Sequence, residues 1–121
     1  MTDKFTRERE NFALRLIRLS NRNHKNCIRI GENETYNHAR AKFEVCMKLL
    51  KWGKSFYTEA IFEGGGRADV FNLSEMVVIE ILESETEAQC MEKIKKYPPG
   101  LSFEIAYMEN DKLEWKVKKT I

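Results

Sequence analysis

The sequence predicts an α/β protein with a central mixed β-sheet flanked by helices, and three observations predict it. Helical apolar periods and short β-branched or aromatic runs fall in the order helix, helix, three strands, helix, two strands. The third strand-like run, Met76 to Leu82, is the most hydrophobic stretch of the chain, as expected of a central strand covered on both faces. A helix then separates this strand from the fourth, and such a crossover makes at least one pair of strands parallel.

The chain has 121 residues, of which 42% are hydrophobic and 33% charged, the composition of one soluble domain over 1–121 with a buried core. Within it, 1–35 reads as a basic helix and loop and 36–121 as the α/β core. No apolar run is long enough to span a bilayer, and the first residues lack a signal-peptide core, so a cytoplasmic location is expected. Cys27, Cys46 and Cys90 are odd in number and far apart, which indicates neither a disulfide framework nor a zinc knuckle. Net charge is only +2, but residues 1–54 hold 13 Lys/Arg against 6 Asp/Glu and residues 55–121 hold 8 against 13. That asymmetry fits a phosphate-binding surface beside a carboxylate cluster, or two ordinary solvated faces.

Taken in order, Phe5, Phe12, Leu16 and Leu19, with Ala13 and Ile17, recur at helical spacing from Lys4 to Ser20, and arginines occupy much of the remainder. Asn21 to Asn26 is a polar, asparagine-rich loop, and Cys27 to Ile30 a brief extended piece. A second helix runs from Tyr36 to Lys51, with Phe43, Cys46, Met47 and Leu50 as its buried stripe and Gly53 placed to end it. On this helix His38 and Lys42 share a face, four residues apart, and Glu44 lies at the edge of the stripe. Ser55 to Glu63 is a strand centred on Glu59, Gly64 to Gly66 a turn, and Arg67 to Phe71 its hairpin partner.

After a second turn and the Met76 to Leu82 strand, Ser84 to Glu87 forms a capping box that opens a third helix, with Glu83, Glu85 and Glu87 favoured by the dipole. Pro98 and Pro99 stop that helix near Lys96. Leu101 to Met108 and Lys112 to Lys118 are the last two strands, the final one an open edge able to pair with a second copy.

Two carboxylates stand inside apolar strands, Asp69 in the second and Glu80 in the third. A charge there is costly unless it is paired or binds a metal. By strand alternation Asp69 shares a face with Arg67 and Phe71, and Glu80 with Val78 and Leu82, so a hairpin brings the two acids together. Such a pair can hold Mg²⁺ or Mn²⁺ and leave water positions open. The bland reading has Asp69 pairing with Arg67 or capping a turn.

A helix with a glutamate, a hairpin with Arg67-Ala68-Asp69-Val70, a third strand ending in an apolar run and Glu80, then a helix and a strand: this order resembles the PD-(D/E)XK nuclease superfamily. That superfamily includes archaeal Holliday junction resolvases and many restriction endonucleases. His38-Ala39-Arg40-Ala41-Lys42, followed by Thr58-Glu59-Ala60, is also similar to competence-protein-like and archaeal members.

The resemblance covers roughly residues 36–108 and implies a restriction-endonuclease-like α-β-β-β-α-β core with an extra N-terminal helix. It further implies a Mg²⁺- or Mn²⁺-dependent endodeoxyribonuclease acting on DNA, branched or repair intermediates included, as a homodimer. Asp69 then matches the metal-binding aspartate, Glu80 the acid of the Glu-x-Lys motif, and Glu44 the helical glutamate, with Glu59 a second candidate that would complete the metal shell. The motif lysine is replaced by Leu82. Lys42 is the first substitute for its positive charge, with Lys93 and Arg67 next. The implied DNA surface takes in Arg15, Arg18, Arg22, Lys25, Arg40 and Arg67. The alternative on the same fold is a catalytically silent module that binds DNA or a protein.

Overall fold

A computed structural model of the chain describes residues 3–83 and 86–120, the last three as backbone only. Five strands form one mixed sheet in sequence order: β1 (Phe56–Ile61), β2 (Arg67–Asn72), β3 (Val77–Ile81), β4 (Ser102–Glu109) and β5 (Lys112–Thr120). Three pairs are antiparallel, while β3 and β4 run parallel, joined by the crossover helix α3 (Glu87–Ile94). The parallel pair expected from that crossover is present.

The sheet separates two apolar clusters. On one face α1 (Lys4–Leu14) and α3 contribute Ala13, Cys90 and Ile94 to a core with Tyr57, Phe71, Val78 and Phe103. On the other, α2 (Tyr36–Lys51) lays Ala41, Val45, Cys46 and Leu49 on Val70, Val77, Ile79 and Ile81. The alternation of β3 between these clusters explains why every residue of it except Glu80 is apolar.

Three sequence expectations are corrected. The first helix stops at Leu14 rather than Ser20, because the chain turns to satisfy the outer edge of β1. Ile17 bridges to Phe62, Arg18 N donates to Ile61 O at 2.8 Å and Glu63 N to Leu16 O at 2.8 Å. Only Ala13 of α1 is buried, so Phe5 and Phe12 stay largely exposed.

The asparagine-rich segment is not an irregular loop, although only Asn21 of it is buried. It continues as a short 3-10 helix, Leu19–His24, that straps the same edge. Asn21 Oδ1 accepts from Ile61 N (3.1 Å), and Asn26 Oδ1 from Phe56 N (2.9 Å). Asparagine is used here because its side-chain amide can complete the hydrogen bonds of an edge strand where no further strand pairs.

On α2 the buried stripe is Ala41, Val45, Cys46 and Leu49, while Phe43, Met47 and Leu50 face outward. Small and branched side chains let the helix lie close to the sheet, which the larger outward set would not. The helix ends as expected, with Gly53 at φ 71° after it and Lys54 N bonded to Leu49 O.

The capping box of α3 belongs to Thr86 and Gln89, with Gln89 N donating to Thr86 Oγ1 (3.1 Å) and Thr86 N to Gln89 Oε1 (2.9 Å). The expected Ser84–Glu87 cap begins on residues 84 and 85, which lie outside the described residues. Among the described residues no helix is long and apolar enough to cross a membrane.

Candidate functional site

Strand register builds the site. The β1–β2 pairs Thr58↔Val70 and Ala60↔Ala68 leave Glu59 across from Asp69, and continuing the β2–β3 register from Val70↔Ile79 sets Asp69 across from Glu80. Three carboxylates on three neighbouring strands therefore lie in one row across the sheet. Asp69 and Glu80 do converge, within hydrogen-bonding reach of each other. Asp69 also accepts from the Ile81 amide at 2.8 Å.

Glu80 is fully buried. Lys93 Nζ, from α3, lies 3.0 Å from its Oε2, and the Tyr97 hydroxyl lies against its Oε1. That hydroxyl is also 2.7 Å from the Arg67 carbonyl oxygen, and it has one proton for two acceptors. A protonated Glu80 gives its proton to the hydrogen bond with Asp69, while the Tyr97 hydroxyl donates toward Arg67 O and Glu80 Oε1. Electrostatics agree: burial, then the charge of Asp69, push the Glu80 carboxyl up to about 8. Burial, then the neighbouring Glu80, push the Tyr97 phenol well above its ordinary range.

Asp69 goes the other way. Burial alone would raise its pKa, but His38, Glu80 and Lys93 together hold it well below the usual carboxylate range. The two acids thus divide their roles, Asp69 ionised and Glu80 holding a proton, as expected of like charges forced together.

His38, at the start of α2, links Asp69 to a second network. Its Nε2 is 3.7 Å from Asp69 Oδ2 and its Nδ1 2.5 Å from Glu34 Oε1. Bonding to Asp69, opposed by burial and aided by Glu34, raises the imidazole to about 9, so it carries a proton at neutral pH. Glu34 in turn meets Lys42 Nζ at 2.8 Å, and Lys42 also reaches Glu59 Oε1 (2.7 Å) and Arg29 O (2.9 Å). Lys42 has no exposed surface; burial would favour its neutral form, but the two carboxylates outweigh it and its pKa rises.

Glu59 closes this network on Arg67 at 3.0 Å. Its backbone has φ 52°, a left-handed conformation that Asn26, Met76, Asn110 and Asp111 adopt in turns and Glu59 adopts inside a strand. Such a residue is held by its surroundings at some cost, a feature that clusters at functional sites. A cavity of about 610 Å³ opens over this ground, lined by Asn21, Arg29, Glu34, His38, Glu59 and Asp69 among others. Asp69 lines it, and Glu80 lies behind.

The fold thus joins Asp69, Glu80, Glu59 and Arg67 of the expected residues in one neighbourhood. It does not bring Glu44 there: that side chain takes Arg40 at 2.9 Å, and Arg40 also pairs with Asp111 in the β4–β5 turn. Lys42 is present but faces Glu34 and Glu59, so the cation against Glu80 is Lys93. Arg15, Arg18 and Lys25 are exposed on α1's exit and the strap, whereas Arg22 is folded back onto Ile17 O (2.9 Å) with Glu63 at 3.7 Å.

Sequence reasoning missed Tyr97 and Glu34, and it placed His38 at the helix entry without a role in the site. The shared face of His38 and Lys42 was the available signal, since both meet Glu34.

Asp69 and Glu80 offer hard oxygen donors, the type Mg²⁺ and Mn²⁺ take when one or two carboxylates hold them and water fills the other positions. Their residue types fit such an ion. Among the described residues no group of three or more His, Cys, Asp or Glu side chains gathers as a ready metal cage. Comparison of the chain with family models, curated proteins and solved structures finds no match.

Proposed function

We propose that the protein is a Mg²⁺- or Mn²⁺-dependent endodeoxyribonuclease on a restriction-endonuclease-like core. The observation that carries this reading is the buried Asp69–Glu80 pair set across two hairpin strands, with a lysine 3.0 Å from Glu80 and an adjoining cavity rimmed by arginines. Asp69 and Glu80 would hold the ion, which when bound would polarise a phosphodiester and lower the pKa of a water.

The remaining roles belong to the chain. Lys93, already against Glu80, provides the positive charge that Leu82 does not. Protonated His38 sets a second positive charge beside Asp69 and, through Glu34, is fixed in orientation. Arg29 and Arg67 at the cavity rim meet phosphates, and exposed Arg15, Arg18 and Lys25 extend that surface along the strap. The cytoplasm and a homodimer remain the expected setting.

A specific pair of observations favours the second reading, a catalytically silent binding module: Glu80 has no exposed surface and is already satisfied by Lys93 and Tyr97, and Leu82 stands at the lysine position. The test is cleavage of supercoiled, linear and branched DNA with Mg²⁺ or Mn²⁺, with Asp69→Ala as control. We expect cutting by the wild type and a loss of at least about 100-fold in the variant. Equal activity in both, or none on any substrate, ends the nuclease reading. Mn²⁺ calorimetry then separates the two: the silent module shows no binding that depends on Asp69 and Glu80.

A further inference from the structure

Helix α2 is apolar on two sides. Ala41, Val45, Cys46 and Leu49 are buried against the sheet, yet Tyr36, Phe43, Met47 and Leu50 are 76%, 50%, 45% and 41% exposed. At about 100° per residue these four fall within an arc of about 60°, roughly opposite the buried set. Arg40, Glu44, Lys48 and Lys51 follow along one flank of the stripe and Ala39 along the other. Among the described residues nothing covers it. Two aromatic and two aliphatic side chains exposed to this degree present on the order of 400 Å² of apolar surface, within the size range where the largest patch of a monomer is often functional.

We propose that this stripe is the contact between two copies of the chain, docked antiparallel about a two-fold axis near Phe43. That axis sets Phe43 against the partner's Phe43, Tyr36 against the partner's Leu50, and Ala39 against the partner's Met47. Each large apolar side chain meets an apolar one, and the smallest residue of the stripe faces the flexible Met47, the self-complementarity an isologous contact requires. Two such stripes bury roughly 800 Å², and the aliphatic stems of Arg40, Lys48 and Lys51 take the total past the ~1,000 Å² that marks a specific interface.

Charge does not oppose the contact at its centre. Arg40 is neutralised by Glu44 and Asp111 within its own chain, and the exposed Lys48 and Lys51 lie on the flank, where their stems line the contact while their ammonium groups reach water. The β5 edge is guarded: exposed Lys112 and Lys116 place positive charge along it, a pattern that discourages strand-to-strand pairing. A second copy is therefore directed to the helix.

Sedimentation of the whole chain from low micromolar to near-millimolar concentration tests this without any reference to cleavage. We expect a mass about twice 14.3 kDa for the wild type. Phe43→Glu and Met47→Glu should each weaken association about tenfold or more with circular dichroism unchanged, while Val117→Glu on the β5 edge leaves it intact. In a Cys27→Ser background, Phe43→Cys should form a disulfide-linked dimer on mild oxidation, because the axis passes through that position. A monomer throughout, a dimer indifferent to both glutamate variants, or one broken by Val117→Glu overturns the proposal.

Discussion

At the scale of single residues, the opposed charge states of Asp69 and Glu80 make stability depend on pH in a direction that can be worked out. In the fold Glu80 keeps its proton to about 8, against an ordinary 4.5, so between those values the folded state holds the extra proton and stability falls as pH rises. His38 is raised from 6.5 to about 9, and the stability from its two carboxylate contacts, full below 6.5, is lost as pH rises through 9. Both act together between 6.5 and 8. Asp69, held below its ordinary 3.8, works in the opposite sense, but only in acid.

The thermal midpoint should therefore decline from pH 6 to pH 9.5. Glu80→Gln should flatten the lower part of that decline and His38→Gln the upper part. A midpoint that climbs over this window contradicts the assigned protonation states. Asp69 and Glu80 were legible in the sequence because a carboxylate among β-branched residues stands out. Lys42 was legible only as a cation on the right helix; that it meets Glu34 depends on a loop, 29–34, whose path no local pattern dictates.

At the scale of elements, the turn between β1 and β2 ties the site to the segment that follows α3. Gly66 has φ 85°, and a Cβ there would stand 2.8 Å from the Tyr97 ring, the side chain that holds Glu80. Gly64 has no atom within 4 Å of its added Cβ. Gly66→Ala should cost about 1–3 kcal/mol in chemical denaturation, while Gly64→Ala should stay within about 0.5 kcal/mol. Equal effects would mean that Tyr97 does not rest on this turn.

The same scale shows where periodicity succeeds and where it misleads. The order of helices and strands, and the residue limits of α2, follow from the sequence, since turn residues and apolar runs mark them. The buried stripe of α2 does not, because two apolar stripes share one helix and periodicity cannot say which faces the sheet. Nor does the end of α1, where the demand of an uncovered strand edge outweighs continued helix formation.

At the scale of the whole molecule, the basic first half and acidic second half acquire a geometry. Arg15, Arg18 and Lys25 lie on the segment that straps β1, and two strap-side residues, Asn21 and Arg29, line the cavity over Asp69. If DNA follows this path, log affinity should fall linearly with log salt, and alanine at Arg15, Arg18 and Lys25 together should lower the slope by up to ~3. Fluorescence anisotropy with a duplex across a salt series checks it. A slope unchanged by the triple substitution would place the DNA elsewhere.

The sequence by itself determined the α/β class, the parallel pair at the crossover and the two acids that meet, because these rest on local periodicity, turn chemistry and the cost of burying charge. Only the tertiary structure decided which cation stands against Glu80. Lys42 and Lys93 are alike in composition and both are carried on helices, but α2 and α3 cover opposite faces of the sheet. Alternation along β3 turns Glu80 toward α3, so Lys93 reaches it and Lys42 is left to Glu34 and Glu59.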